Sequence, residues 1–157
     1  MNEKYMKEAL KEAKKAMQKE EVPIGAIIVK DGVIISRGHN LRETKNDACA
    51  HAEIIAIKKA CKKLGAWRLE NCEMYVTLEP CAMCAGAIIN SRIKKLYIGA
   101  MEPKSGCVGS KLNLLEDYKF NHSVEVEYGI CEDDSVYLLQ DFFKQLRKKD
   151  KEQKNKI

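Results

Sequence analysis

No apolar run in this 157-residue chain approaches the roughly 20 residues a membrane-spanning helix requires. The opening residues, Met1-Asn2-Glu3-Lys4-Tyr5, mix charged and polar groups where a secretion signal would carry its apolar core. Both absences predict a cytoplasmic protein with no membrane attachment. Internal repeats are lacking too, and the length allows one well-cored domain, expected over residues 1–150 with a basic tail at 151–157. At 45% hydrophobic and 32% charged residues, the chain is not a disordered one except at its Lys-rich end. Seven cysteines are present, an odd number in a chain expected in a reducing compartment, which argues against a disulfide scaffold. Cys61, Cys72, Cys107 and Cys131 are expected to be reduced small hydrophobes. Cys49 is expected to be the same, with a stray ligand role open because it lies two residues before His51. The net charge of +5 suits a polyanionic partner without requiring one.

Against that background two short stretches stand out: His51-Ala52-Glu53 and Pro80-Cys81-Ala82-Met83-Cys84. Cysteines three apart at the start of a helix bring both sulfurs to one side, and the helix N-terminus favours the thiolate charge. With His51 they make three donors for Zn²⁺, one short of the four of a closed structural site, so the pattern is that of a catalytic metal with a place for water. Glu53 is then the proton carrier beside it. Each residue has a plainer reading: a histidine on an apolar helix face is more often a core residue, and a first-turn glutamate is more often solvated. The matching cysteine pair decides against both. His-x-Glu with Pro-Cys-x-x-Cys is the known signature of zinc nucleobase deaminases.

Taken in order, residues 3–20 predict an amphipathic helix through Met6, Leu10, Ala13 and Met17. Strands follow at 24–29 and 33–38, paired through an Asp31-Gly32 hairpin turn. Gly25 marks either a bulge or a place where a ligand comes close. After a polar loop at 42–47, a helix is expected over 50–64, burying Ile54, Ile57, Cys61 and Leu64 with His51 on the same face and Gly65 closing it. Next come a strand at 72–78, a small-sided helix at 81–91 behind Pro80, and a strand at 94–99. The long segment 101–121 is expected to carry a short helix at 111–116, and its length points to function. A strand at 123–130 and a helix at 132–149, with Val136, Leu139, Phe143 and Leu146 inward, complete the chain. Strands alternating with helices predict an α/β fold, a mixed five-stranded sheet with helices on both faces, and chemistry at one edge of the sheet.

These stretches, with Val22-Pro23-Ile24-Gly25-Ala26, Gly38-His39-Asn40, Tyr75-Val76-Thr77-Leu78-Glu79, Ser91-Arg92-Ile93, Gly109-Ser110, Asn121-His122 and Asp141-Phe142-Phe143, make the chain resemble the bacterial tRNA-specific adenosine deaminases. These belong to the cytidine-deaminase-like superfamily, and the resemblance runs from Glu21 to about Arg147. It implies the three-layer α/β/α fold of that superfamily and one Zn²⁺ per subunit held by His51, Cys81 and Cys84. It also implies Glu53 as general acid/base, conversion of adenosine to inosine at the wobble position of a tRNA anticodon stem-loop, and a homodimer. By the same resemblance Asn40 hydrogen-bonds the target base, although a turn asparagine is the alternative. The main chain of Ala52 and Glu79 would hold the attacking oxygen and the departing amine. Glu102 stands where the family often has aspartate, which changes the reach toward a neighbouring nucleotide. Asn121 and His122 match positions near the bound loop, or form only a turn. Phe142 is the candidate to stack on a splayed nucleotide, and Arg147 with the basic tail the candidate to meet phosphates. Two rivals remain: a deaminase of a free base or nucleoside (guanine, cytosine or cytidine), which the metal motif equally allows, and a non-catalytic zinc or RNA-binding module, for which Glu53 would have no use.

Overall fold

The computed structural model describes residues 2–156, so Met1 and Ile157, the ends of the two termini considered above, lie outside the described residues. The first helix, α1 (Asn2–Gln18), buries Met6, Ala9, Leu10, Ala13 and Ala16 along one face. Strands β1 (Gly25–Lys30) and β2 (Val33–His39) pair antiparallel across the Asp31-Gly32 turn, where both residues have positive φ (50° and 75°), as a tight hairpin turn requires. Then come α2 (Ala52–Leu64), β3 (Cys72–Leu78), α3 (Ala82–Asn90), β4 (Lys95–Ala100), β5 (Glu125–Tyr128) and α4 (Glu132–Asn155). The sheet order is β2-β1-β3-β4-β5, with β3, β4 and β5 parallel and β1 antiparallel to both its neighbours.

Alternation along the strands sorts the core into two layers. Ala26, Ile28, Met74, Val76, Leu96 and Ile98 pack beneath α2 and α3. Ile27, Val29, Tyr75 and Tyr97 pack on the other face against α1 and Leu138 of α4. This is the expected α/β/α sandwich with a mixed five-stranded sheet. Among the described residues no helix is long and apolar enough to cross a membrane.

Several local expectations fail for identifiable reasons. Gly25 marks neither a bulge nor a ligand: a Cβ there would sit 2.0 Å from the Ala9 carbonyl oxygen, so the glycine lets the α1 backbone lie directly on β1, and the register shift falls instead between Ile28 and Val29. Residues 111–116 form turns and an isolated bridge, Val108 to Asn113, not a helix. The last strand is only four residues long, and α4 continues past 149 to Asn155, so most of the expected tail is helix. The inward stripe of α4 also lies one residue away from the one anticipated. Ser135 and Leu138 are buried because Ser135 lies over Gly99, where an added Cβ would meet its hydroxyl at 2.6 Å; Phe143 and Leu146 are exposed.

Candidate active site

Two helix starts meet at one point. His51 is the residue before α2 (φ −83°, ψ 154°) and Cys81 the residue before α3 (φ −75°, ψ 178°); both are extended, and Cys84 lies in the first turn of α3. His51 Nδ1 is 3.6 Å from each of the Cys81 and Cys84 sulfurs. The three donor atoms lie within 4.8 Å of one another, a group able to hold a metal ion. His51 does not share a face with Ile54, as the spacing had suggested, because it caps the helix instead of lying in it. The face that α2 buries carries Ala52, Glu53, Ala56, Ile57 and Ala60. The unpaired N–H groups of both first turns face the cluster and favour negative charge there.

Protonation follows from that setting. A hydrogen bond with Cys84, assisted by His51, pulls the Cys81 thiol down to about 4. Cys84 is raised, by the same hydrogen bond and by burial. His51 is raised, chiefly by its contact with Cys81. Glu53 is 4% exposed, and burial, with the Cys81 charge adding to it, pushes its carboxyl up to about 7. A carboxyl poised there both accepts and gives a proton near neutral pH.

A cavity of about 320 Å³ opens above this cluster, lined by His51, Ala52, Asn40, Glu102 and Phe143 among others. Ala52 is the first helical residue of α2, whose N–H has no intrahelical acceptor. The Asn40 amide lines the cavity while also acting as the turn asparagine: it donates to the Val22 carbonyl (3.3 Å) and accepts from the Arg42 N–H (3.1 Å). Glu102 reaches the wall of the cavity, beside Ser105.

Other expected residues are placed differently. The Glu79 N–H donates to the Ala100 carbonyl (2.8 Å) within the sheet, which leaves its carbonyl as the main-chain group for a departing amine, and its side chain turns into the 102–110 loop. Phe142 faces a groove with Met17, Leu146 and Lys149; Phe143 is the ring at the cavity, a consequence of the shifted α4 stripe. Arg147 lines an adjoining hollow that shares Leu139 and Phe143 with the cavity and adds Lys104. Asn121 and His122 sit in a separate hollow with Arg68, Arg92 and Lys94, where the His122 Nε2 contacts the Ile93 carbonyl oxygen at 2.7 Å. Arg42, Ser105, Lys104 and Leu139 escaped the sequence reading. Only Leu139 had a periodic signal, and that signal pointed to the core.

The comparisons agree with this geometry. The MafB19-like deaminase family matches residues 1–147. A tRNA-specific adenosine deaminase of Bacillus subtilis is 56% identical over 150 residues, covering 96% of this chain and 93% of that protein. A solved structure from a study of A-to-I editing by tRNA:A34 deaminases at the wobble position superposes with a TM-score of 0.83 at 45% identity, over 86% of this chain and 98% of the other. A guanine deaminase structure from Bacillus subtilis matches less of the molecule: TM-score 0.61 and 46% identity, over 63% of this chain and 64% of that one. The 56% identity to the Bacillus subtilis adenosine deaminase over nearly its full length, with the His-Cys-Cys cluster and a buried Glu53 in place, shows that the chain belongs to the tRNA-specific adenosine deaminase family.

Proposed function

We propose that this protein hydrolyses adenosine to inosine and ammonia at the wobble position of a tRNA anticodon loop, with Zn²⁺ held by His51, Cys81 and Cys84. The donor set fits zinc. Ideal tetrahedral bonds of about 2.0–2.1 Å to nitrogen and 2.3 Å to sulfur place those atoms roughly 3.6 Å apart, and both nitrogen–sulfur distances are 3.6 Å. Bound there, the ion supplies the Lewis acidity that makes water nucleophilic near neutral pH.

The buried Glu53 beside these donors carries the reading. It takes a proton from the attacking water and delivers it to adenine N1, so that C6 becomes electrophilic; it then carries the proton of the new C6 hydroxyl to the amine, which leaves as ammonia as the carbonyl of inosine forms. Ala52 offers its main-chain N–H at the cavity, Asn40 its amide edge, and Phe143 an apolar face for the base. Glu102 lies where a flanking nucleotide would pass. Arg147 and Lys104, in the adjoining hollow, suit the phosphates of an unwound loop, and bases in such a loop turn outward at low cost. We further infer a cytoplasmic homodimer whose catalytic domain spans residues 1–150.

Deamination of a free base is the second reading, favoured by the partial match to a guanine deaminase. The deciding experiment measures ammonia release by zinc-loaded protein on an anticodon stem-loop with a wobble adenosine, and on free adenosine, cytidine and guanine. Release from the stem-loop alone, with inosine at the wobble position, is expected. Release from a free base or nucleoside instead would overturn the substrate while leaving the site intact.

A further inference from the structure

Glu79 occupies the exit of β3, two residues before Cys81, and its side chain is 3% exposed. A buried carboxylate requires partners on both oxygens, and here every partner comes from one loop. Oε1 accepts from the Glu102 N–H (2.9 Å) and from the Ser110 hydroxyl. Oε2 accepts from the Val108 N–H (3.0 Å) and the Ser110 N–H (2.9 Å). One side chain thus ties down both ends of the 102–110 loop. The fit is close: a Cβ added at Gly106 would fall 2.2 Å from the Glu79 carboxyl carbon. Beside it, the Cys107 N–H donates to the Pro80 carbonyl (2.9 Å), so the loop is anchored to the same two residues that lead into the cysteine pair. The loop in turn presents Glu102 and Ser105 at the wall of the cavity.

We propose that Glu79 is a positioning residue for substrate specificity: its carboxylate fixes the 102–110 loop so that Glu102 and Ser105 meet the nucleotide flanking the target base. The role belongs to the side chain and acts through the loop, without contact to the reacting atoms. It rests on the RNA reading above. The chemistry of the anchor explains why neighbouring residue types would not serve. Glutamine has the same shape, yet it offers one acceptor and one N–H₂ group, and the N–H₂ group must face loop donors whichever way the amide is turned.

The test compares wild type with Glu79→Gln and Ser110→Ala as zinc-loaded full-length protein. Substrates are two anticodon stem-loops that differ only in a nucleotide flanking the wobble adenosine. For Glu79→Gln, KM for the preferred loop is expected to rise about tenfold, with kcat within about twofold and discrimination between the two loops largely lost. Zinc content should be unchanged, and the amides of Val108 and Ser110 should exchange hydrogen faster. Ser110→Ala, at an exposed position, should show a smaller change in the same direction, and it keeps the test decisive if Glu79→Gln fails to fold. Unchanged exchange would show that the carboxylate does not hold the loop. Faster exchange with wild-type KM and discrimination would show that the held loop does not serve specificity, and lost zinc would assign Glu79 to the metal site; each result overturns the proposal. Failure of wild type on both stem-loops would instead strike the RNA reading, leaving the exchange measurement to judge the anchor.

Discussion

Two hollows among the described residues each contain a histidine, His51 in one and His122 in the other, and they differ in nearly everything that makes chemistry possible. At the first, two helix starts converge, two sulfurs approach one imidazole nitrogen, and a carboxyl is shut away from water. At the second, His122 is engaged by a main-chain carbonyl, and Arg68 and Arg92 lie 5.0 and 5.7 Å from the ring of Trp67, which is 58% exposed. Cations stacked on an exposed ring are well solvated and already partnered. The contrast teaches that a histidine's role is set by what its second neighbour is: a thiolate prepares it for a cation, a peptide carbonyl only fixes its orientation.

The difference is best challenged at the first hollow. Replacing Glu53 with alanine should reduce turnover by about 10³-fold or more while zinc stays bound, checked by single-turnover deamination and metal analysis. Full activity would remove the proton shuttle and much of the distinction between the two hollows. Cys81→Ser should weaken zinc by more than the roughly 10–100-fold typical of outer-shell changes, measured by chelator competition. Tight stoichiometric zinc in that variant would show the ligand set to be wrong. Phe143→Ala should raise KM for the stem-loop about tenfold, the scale of losing one stacked base, whereas Phe142→Ala should leave KM near wild type and lower thermal stability. Equal effects of the two would return the ring assignment to doubt. The smallest change is expected at the second hollow: His122→Ala should cost about 1 kcal/mol of stability for its hydrogen bond and alter kcat/KM by less than about twofold. A large loss of activity there would join the two hollows into one functional surface.

The clustering of His51, Cys81 and Cys84 was readable from the chain because spacing within each half of the motif is local and each half starts a helix. The layer order was equally legible, since Ile27 and Val29 alternate with Ala26 and Ile28 along one strand. Phe142 and Phe143 were exchanged because a three-four stripe on α4 exists in two adjacent phases. The choice between them is made by Ser135 packing over Gly99 of β4, a contact distant in sequence. Asn121 and His122 follow a stretch without periodicity, so nothing in their neighbourhood indicates which end of the sheet they reach. Glu79 was assigned by resemblance through its main chain; its side-chain partners lie 23 to 31 residues away and leave no local trace.

His51 and Cys81 are 30 positions apart and belong to different helices. A cation shared between them therefore acts as a cross-link as well as a reagent. Closing a loop of that length restricts the unfolded chain by about 3–4 kcal/mol on the scale used for disulfides. With zinc held there, metal supply and folding would be coupled in both directions: free zinc should raise the melting temperature, and a partly unfolded chain should surrender the ion. An ion held by His51, Cys81 and Cys84 would thus be a clasp between α2 and α3 as well as a reagent.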